Sequence, residues 1–251
     1  MTGRTGTDVM DLVSITDALV KELKGLRFGK PVTHVYNPLL YARAGYDLYL
    51  ERAGKAPKEI VLVGMNPGPW GMAQTGVPFG AVNPVRDWLG TQAPVGRPAV
   101  EHQRRRVEGF DCCRQEVSGL RVWGWAQRAF HTPERFFKRF FIANYCPLLF
   151  LEESGRNRTP DRLPAHEQEA LFRICDRALR RTVECLRPAW VLGIGRFAEG
   201  RARASLDGLG VQVGRITHPS PACPKANRGW ERMIIRELTF LGIPGIPLTA
   251  A

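Results

Sequence analysis

The sequence "VLVGMNPGPWGMAQTGVPFG", residues 61–80, joins the end of an apolar strand pattern to a loop rich in glycine and proline. It opens inside a continuous apolar run, EIVLVGM at 59–65, which is typical of a strand buried in a parallel sheet. The run stops in a loop with three prolines and, counted from Gly64, five glycines. Asn66 follows the predicted strand directly, so this constrained loop presents an amide where an acid or a nucleophile could have stood.

The rest of the chain alternates strand and helix patterns. Strands are predicted at 32–36, 59–65, 140–143, 189–194 and 211–217, and helices at 11–24, 45–52, 165–186, 196–206 and 228–241, with a helical turn at 83–89. The polar segment 97–122 has no clear pattern. This alternation predicts an α/β fold with a parallel sheet covered on both faces. We expect one domain over 11–241, a flexible N-terminus at 1–10 and an irregular tail at 242–251.

The composition favours a polyanionic partner. Of 251 residues, 36 are Lys or Arg and 24 are Asp or Glu, giving a net charge of +12, and only 7 of the cations are lysine. Arginine suits phosphate oxygens, although a GC-rich genome also enriches arginine. No apolar run is long enough for a membrane span and no secretory signal is evident, so we expect an intracellular protein with no membrane association.

The six cysteines predict neither a disulfide framework nor a metal site. They are Cys112, Cys113, Cys146, Cys175, Cys185 and Cys223. The chain is too long to need disulfides, and no C-x2-C pair offers zinc or iron–sulfur spacing. We expect most of them to be reduced and buried, and we expect no metal and no cofactor.

Three predicted strands deliver a polar side chain where they end: Asn66, Asn144 and His218. The carboxyl ends of parallel strands are where ligands bind in open α/β sheets. Each residue also has a structural alternative, since an Asn often caps a turn and a single His is often a satisfied structural group. Their convergence on one sheet edge favours a site.

Four separated motifs resemble one family. GMNPGPWGMAQTGVPFG at 64–80 and HPSPACPKANRGW at 218–230 are similar to the two signatures of the single-strand-selective monofunctional uracil-DNA glycosylases, family 3 of the uracil-DNA glycosylase superfamily. NYCPLLF at 144–150 and SGRNRTP at 154–160 match in order and at comparable spacing. The resemblance runs from about Tyr36 to Leu241 and implies a three-layer sandwich with a central four-stranded parallel sheet.

The resemblance implies an enzyme of DNA repair, specifically of base excision repair. Such an enzyme hydrolyses the N-glycosidic bond of uracil and related damaged bases and leaves an abasic site, after the base has left the helix stack. It implies a monofunctional hydrolase, and we expect a monomer that acts on single- and double-stranded DNA. The compartment would be the cytoplasm or nucleoid of a bacterium, or the nucleus of a eukaryote.

The resemblance also implies roles for individual residues. His218 resembles the catalytic histidine that faces the pyrimidine O2, and Asn66 the residue that positions the attacking water. Phe79 resembles the residue that stacks beneath the base, with a core Phe as the alternative. Asn144 resembles the reader of the Watson–Crick edge. Further base contacts would come from Met65, Gly68 and Met72, and Gly64, Gly68 and Gly71 would let the loop backbone approach the base.

Two loops are expected to bind DNA. Arg156, Asn157 and Arg158 lie in SGRNRTP, where the arginines would contact phosphates; the alternative is a solvated loop with no partner. The loop after His218 resembles the wedge that fills the gap left by the base, and its expected DNA-binding residues are Pro219, Ser220, Pro221, Ala222, Cys223, Lys225 and Arg228. Relatives commonly place a large basic residue where Ala222 stands, so the departure at Ala222 weakens the expectation of double-strand activity more than that of single-strand activity.

Two other functions compete with this hypothesis. GxGxxA at 193–198 follows a predicted strand, as in dinucleotide-binding folds, but no acidic residue lies at the expected distance, so the glycines favour close helix–strand packing. A non-catalytic single-stranded-DNA-binding protein would also suit the charge and aromatics. Such a binder has no need of both Asn66 and His218.

Overall fold

The computed structural model describes residues 11–247. The predicted flexible N-terminus at 1–10 lies outside the described residues, as do the last four residues of the predicted tail. Residues 243–247 belong to no helix or strand.

The described chain alternates strands and helices. The strands are β1 Val32–Tyr36, β2 Ile60–Gly64, β3 Phe140–Asn144, β4 Leu149–Glu152, β5 Asn157–Arg158, β6 Trp190–Ile194 and β7 Gln212–Ile216. The helices are α1 Leu12–Leu23, α2 Pro38–Tyr41, α3 Arg43–Ala53, α4 Met72–Thr75, α5 Val117–Phe130, α6 Pro133–Arg139, α7 Ala165–Leu186, α8 Arg196–Ser205 and α9 Trp230–Phe240.

A four-stranded parallel sheet forms the centre, in the order β3-β2-β6-β7. Every residue of β2 is buried, as expected for an inner strand whose sequence is apolar without interruption. The register pairs Gly64 of β2 with Asn144 of β3, so these strands end side by side. The predicted α/β fold with a four-stranded parallel sheet is confirmed.

Helices cover the sheet on both sides. Helix α8 contacts β2, β6, β7 and α7, and α7 contacts α1. Helix α7 buries Leu171, Cys175, Leu179 and Val183, which recur every four residues along one stripe. A second group consists of α5, α6 and α9, in which α5 contacts the other two, α6 contacts β3 and α9 contacts β7.

The GxGxxA segment serves packing, as the sequence favoured. A Cβ on Gly193 would lie 2.1 Å from the backbone nitrogen of Glu199 in α8. Helix α8 therefore approaches β6 so closely that only a glycine fits there.

A second, antiparallel sheet was only partly predicted. Its order is β1-β4-β5, and of its strands only β1 had a sequence signal. Strand β4 is four residues long, and β5, with two residues, lies inside the segment expected to be a basic loop. Pairing of Leu151 with Asn157 fixes this segment against the body of the protein.

The polar segment 97–122 contains structure that its sequence did not reveal. A 3-10 turn spans Gly109–Asp111, and α5 begins at Val117. Helix α5 carries two internal glycines and no side-chain cap at its N-terminus, so the usual start signals are missing. Helix α6 was missed as well, although Thr132 caps it and Pro133 occupies its first turn.

Within residues 11–247, no helix has both the length and the apolar composition needed to cross a membrane.

Candidate active site

A pocket of about 250 Å³ opens beyond the carboxyl ends of β2, β3 and β7. This is the position at which parallel α/β sheets bind ligands. The pocket is smaller than the ~300–1,000 Å³ of sites for drug-sized ligands, so it suits a single base-sized group. Its lining residues are Met65, Asn66, Gly68, Met72, Phe79, Glu116, Ser118, Asn144, Asn157, Thr159, His218 and Ser220. All seven residues expected to be catalytic or base-binding are thus brought together.

Asn66 is held by its amide nitrogen. Its Nδ2 donates to the carbonyl oxygen of Leu148 at 3.1 Å and lies 3.5 Å from Oδ1 of Asn157. These contacts use the donor end of the amide and leave Oδ1 able to accept a hydrogen bond. The side chain can therefore orient a water molecule in the pocket through its oxygen.

His218 is held by one ring nitrogen. The backbone N–H of Ser220 donates to Nδ1 of His218 at 3.0 Å. Nδ1 therefore carries no proton, and in the neutral ring the proton is on Nε2. Burial lowers the pKa of His218, because the charged form is poorly solvated there. The site thus offers a neutral imidazole with a donor at Nε2.

Asn144 ends β3 with its side chain beside Met72 and Gly64. Its Nδ2 lies 3.2 Å from the sulfur of Met72. A Cβ on Gly64 would lie 2.6 Å from Oδ1 of Asn144 and 2.7 Å from the ring of Phe79. The glycine at the end of β2 therefore makes the space in which these two side chains sit.

Phe79 belongs both to the core and to the pocket. It is 9% exposed, packs in the main hydrophobic cluster and lines the pocket. Its backbone has φ +54°, a left-handed conformation that costs a non-glycine residue of order 1–3 kcal/mol. Its ring centroid lies 6.4 Å from that of His218. Phe79 is thus a core residue that also lines the pocket, and its stacking beneath a base stays a prediction.

All three glycines expected to approach a base lie against side chains of the protein itself. Only Gly68 lines the pocket; Gly64 makes room for Asn144 and Phe79. Gly68 and Gly71 press against the carboxyl of Glu116, where a Cβ would lie 2.4 Å and 2.7 Å from Oε2. These two glycines therefore accommodate an acid that the sequence analysis did not identify.

Glu116, Ser118 and Thr159 line the pocket without having been predicted. Glu116 and Ser118 come from the start of α5, inside the segment with no readable pattern. Burial raises the pKa of Glu116 to about 7. One sequence signal could have pointed to Glu116. The loop after β2 is rich in glycine, and clustered glycines indicate that a side chain from elsewhere packs closely against the loop backbone.

The basic loop separates into two parts. Asn157 donates through Nδ2 to the carbonyl oxygen of Pro67 at 3.3 Å, so it supports the loop that carries Asn66. Arg156 is exposed, while Arg158 pairs with Glu152 at 3.0 Å. Both arginines line an adjoining cavity of about 550 Å³ together with Arg162. The result is a basic cavity whose lining residues Asn157 and Thr159 also line the pocket.

The loop after His218 is fixed at both ends. Arg121 donates to the carbonyl oxygen of Pro219 at 2.8 Å and to Oδ1 of Asn227 at 2.9 Å. Ser220 lines the pocket and Pro219 is buried, whereas the remaining residues expected to touch DNA are exposed or half-buried: Pro221, Ala222, Cys223, Lys225 and Arg228. The loop thus presents a small side chain, Ala222, at its exposed part.

The cysteines are free, and half of them are buried: Cys112, Cys146 and Cys175. The expectation that most would be buried was therefore too strong. Among residues 11–247, no three His, Cys, Asp or Glu side chains are grouped so as to hold a metal ion.

Comparison with known proteins identifies the family. The uracil DNA glycosylase superfamily model matches residues 52–238. The chain is 50% identical over 224 residues to the single-strand selective monofunctional uracil DNA glycosylase of Mus musculus, covering 88% of this chain and 80% of that protein. The proteins of the same name from Rattus norvegicus and Bos taurus are 50% and 49% identical, each match covering 88% of this chain and 81% and 82% of the relative.

The fold is also that of a solved relative. The crystal structure of wild-type Pedobacter heparinus SMUG2 matches with a TM-score of 0.63 at 15% identity, covering 91% of this chain and 97% of that one. At this identity the likeness concerns the fold alone. The superfamily match and the three mammalian proteins together show that the chain belongs to the uracil-DNA glycosylase superfamily and, within it, to the single-strand selective monofunctional uracil-DNA glycosylases.

Proposed function

We propose that this protein is a DNA repair glycosylase that hydrolyses the N-glycosidic bond of uracil and related damaged bases, leaving an abasic site. One observation carries the proposal: Asn66 and His218, 152 positions apart in sequence, line the same base-sized pocket with Asn144 and Phe79. The names of the mammalian relatives agree with this activity.

His218 would stabilise the leaving base. When the bond between C1′ and N1 breaks, its electron pair leaves on the base and positive charge develops on the sugar. The Nε2–H of the neutral imidazole donates to the pyrimidine O2, where negative charge accumulates. A single donor of this kind contributes roughly 3–4 kcal/mol to the transition state.

Asn66 would place the water that attacks C1′. Its Oδ1 can accept a hydrogen bond from that water, but an amide cannot take up the proton at ordinary pH. The water therefore attacks late, when the glycosidic bond is largely broken and little activation is needed. Its oxygen bonds to C1′, and its proton neutralises the departed base.

Asn144 and Phe79 would select the base. The Asn144 amide can accept from N3–H and donate to O4, which matches uracil and mismatches cytosine. A mismatch leaves buried polar groups unpaired, and such readout can discriminate strongly. Phe79 would stack on the ring face, and Met65, Gly68 and Met72 would complete the wall around it.

The DNA would run over the basic loop and the loop after His218. Arg156 and Arg158 would contact phosphates, while Asn157 supports Asn66 from behind. Pro219 to Cys223, with Lys225 and Arg228, would lie against the site vacated by the flipped base. The small Ala222 offers a weak wedge, which favours single-stranded over double-stranded substrates, because unpaired bases cost least to extrude.

The wider assignment rests on the same proposal. The protein would act as an intracellular monomer whose residues 11–241 form one glycosylase domain. The enzyme would be monofunctional, with no Schiff base to a lysine. The exposure of Lys225 outside the pocket supports this. Borohydride should trap no covalent DNA adduct during turnover; a trapped adduct that disappears in Lys225→Ala would show lyase chemistry instead.

The decisive experiment uses a single-stranded oligonucleotide with one uracil, incubated with protein and then treated with alkali to cleave abasic sites. We expect cleavage with the wild-type protein and a loss of about 10²–10³-fold in rate for Asn66→Ala and for His218→Ala. The exposed His166 and Asn83 supply matched controls, His166→Ala and Asn83→Ala, which should retain activity. A wild-type protein that binds this DNA without cleaving it would be the non-catalytic single-stranded-DNA-binding protein instead.

A further inference from the structure

Glu116 is the feature of the pocket that the proposed function leaves unused. Its carboxyl lines the pocket beside His218, and these two are the titratable side chains among the described lining residues. Within residues 11–247, the Glu116 side chain makes no hydrogen bond and no ion pair. A half-buried acid facing an active-site pocket without a partner is a candidate for contact with substrate.

The contacts around the wall place Glu116 next to the edge that Asn144 would read. Asn144 lies 3.2 Å from the sulfur of Met72, and Met72 follows Gly71, whose Cα faces the Glu116 carboxyl. Along this wall of the pocket, Met72 therefore lies between Asn144 and Glu116. If Asn144 reads N3 and O4 of the pyrimidine, Glu116 lies on the side of O4 and C5, where the second lone pair of O4 can accept a hydrogen bond from its carboxylic acid.

The charged groups around Glu116 do not neutralise it. Residues 65–76, the loop against which it packs, contain no charged side chain. Arg105 and Arg114 both lie over the ring of Trp70, 5.1 Å and 4.9 Å from its centroid. Arg158 pairs with Glu152, and His218 is held neutral. Burial is what raises the pKa of Glu116 to about 7.

Resting on the proposed function, we propose that Glu116 contacts the flipped base as a neutral acid, and that ionisation of its carboxyl sets the upper pH limit of catalysis. The physical reason is the charge that the reaction creates. The base departs as an anion, and a carboxylate at the pocket wall would repel that developing charge, whereas a carboxylic acid can donate a hydrogen bond to it. The phosphates of bound DNA also disfavour the carboxylate, so the midpoint in the complex lies at or above that of the free protein.

The test is the pH dependence of single-turnover uracil excision between pH 5.5 and 8.5 with saturating protein. We expect the wild-type rate to fall by up to tenfold per pH unit above the Glu116 pKa. In E116Q, whose amide is neutral at every pH, the rate should be flat across this range. His218 cannot cause the fall, because its lowered pKa leaves it neutral throughout the alkaline range.

A second readout does not depend on activity. Because the folded state holds the proton of Glu116 more tightly than the unfolded state does, ionisation destabilises the folded protein as the pH rises through the folded pKa. E116Q should therefore have a higher Tm than wild type at pH 8.5, with a smaller difference at pH 5.

The outcomes separate cleanly. A wild-type protein with no uracil excision at any pH would refute the proposed function. A wild-type protein that is active with a rate independent of pH from 6 to 8.5 would overturn only the inference about Glu116. An alkaline fall in rate that persists in E116Q would also overturn the inference about Glu116. So would an E116Q protein that is folded but inactive, because a neutral side chain at this position would then not be sufficient.

Discussion

At His218, one backbone hydrogen bond decides which ring nitrogen carries the proton. The N–H of Ser220 occupies Nδ1, so a proton can be added there only by breaking that bond, and burial disfavours the resulting charge. We expect the nitrogen chemical shifts of this imidazole to show the neutral Nε2–H form at pH 7, with titration below the usual value of about 6.5.

The same shift affects stability on the acid side. The pKa of His218 is lower in the folded state than in the unfolded state. Its contribution to the free energy of unfolding is therefore complete above the unfolded pKa and is lost as the pH falls through the folded pKa. An imidazole found charged at pH 7, or protonated at Nδ1, would contradict this assignment and the donor role of Nε2.

Gly64 is a residue at which one methyl group should disturb two site residues. In Gly64→Ala the new Cβ would overlap with Oδ1 of Asn144 and with the ring of Phe79. Displacements of about 1 Å can cost 10²-fold in rate, and overpacking costs about 1–3 kcal/mol in unfolding free energy. We expect single-turnover uracil excision to fall by roughly that factor, with a lower Tm.

Gly200 supplies the control. It lies in α8, where a Cβ would meet nothing within 4 Å. Gly200→Ala should keep the full rate and gain up to about 1 kcal/mol in stability, as an exposed helix interior allows. Equal behaviour of the two variants would show that the contacts at Gly64 do not position Asn144 and Phe79.

At the scale of elements, α5 holds the loop that carries Phe79. A Cβ on Gly119 would lie 2.0 Å from the carbonyl oxygen of Phe79 and 3.1 Å from the nitrogen of Ala81, both of them backbone atoms. Gly119→Ala must therefore push the helix away from the loop. We expect a loss of at least ~1–3 kcal/mol in unfolding free energy. Slower uracil excision should accompany it.

Gly124, in the same helix, gives the matched comparison. There the new Cβ would meet only the far end of the Arg128 side chain, at 3.3 Å, which can move. Chemical unfolding should find Gly124→Ala as stable as wild type or more so. A Gly119→Ala protein with wild-type stability would mean that α5 and the loop are not packed as closely as the structure has them.

What the sequence could predict at this scale follows from periodicity. The inner strands, α7 and α8 have strong apolar patterns, so the parallel sheet and the loops at its carboxyl edge could be inferred, with Asn66, Asn144 and His218 on them. Helix α5 was missed because Gly119, Gly124 and the absent cap weaken its helical signal. Glu116 and Ser118, at the start of this helix, were missed for the same reason. Their position in the pocket depends on tertiary contacts, which a local sequence pattern does not show.

The second sheet was missed for a related reason. Strands β4 and β5 are too short for alternation to be recognised. Strand β5 also follows Ser154, Gly155 and Arg156, a run that is typical of a loop. Its consequence is functional, because the pairing with β4 orients Asn157 toward Asn66 and leaves Arg156 on the surface. From the sequence, Arg156 and Asn157 were expected to contact DNA in the same loop. In the structure Arg156 is exposed, whereas Asn157 contacts the loop that carries Asn66.

At the scale of the whole molecule, the net charge of +12 predicts binding that weakens steeply with salt, and position on the fold decides which cations take part. Arg156 is exposed beside the pocket, whereas Lys138 is exposed in the last turn of α6, just before β3 begins and so at the opposite edge of the sheet. We expect Arg156→Ala to weaken binding of a uracil-free single-stranded oligonucleotide. The slope of log K against log salt concentration should fall by about 0.7 for each phosphate contact removed.

Lys138→Ala loses the same charge and should leave that slope unchanged. Equal slopes for the two variants would mean that net charge alone, without a DNA path across the carboxyl edge, governs binding.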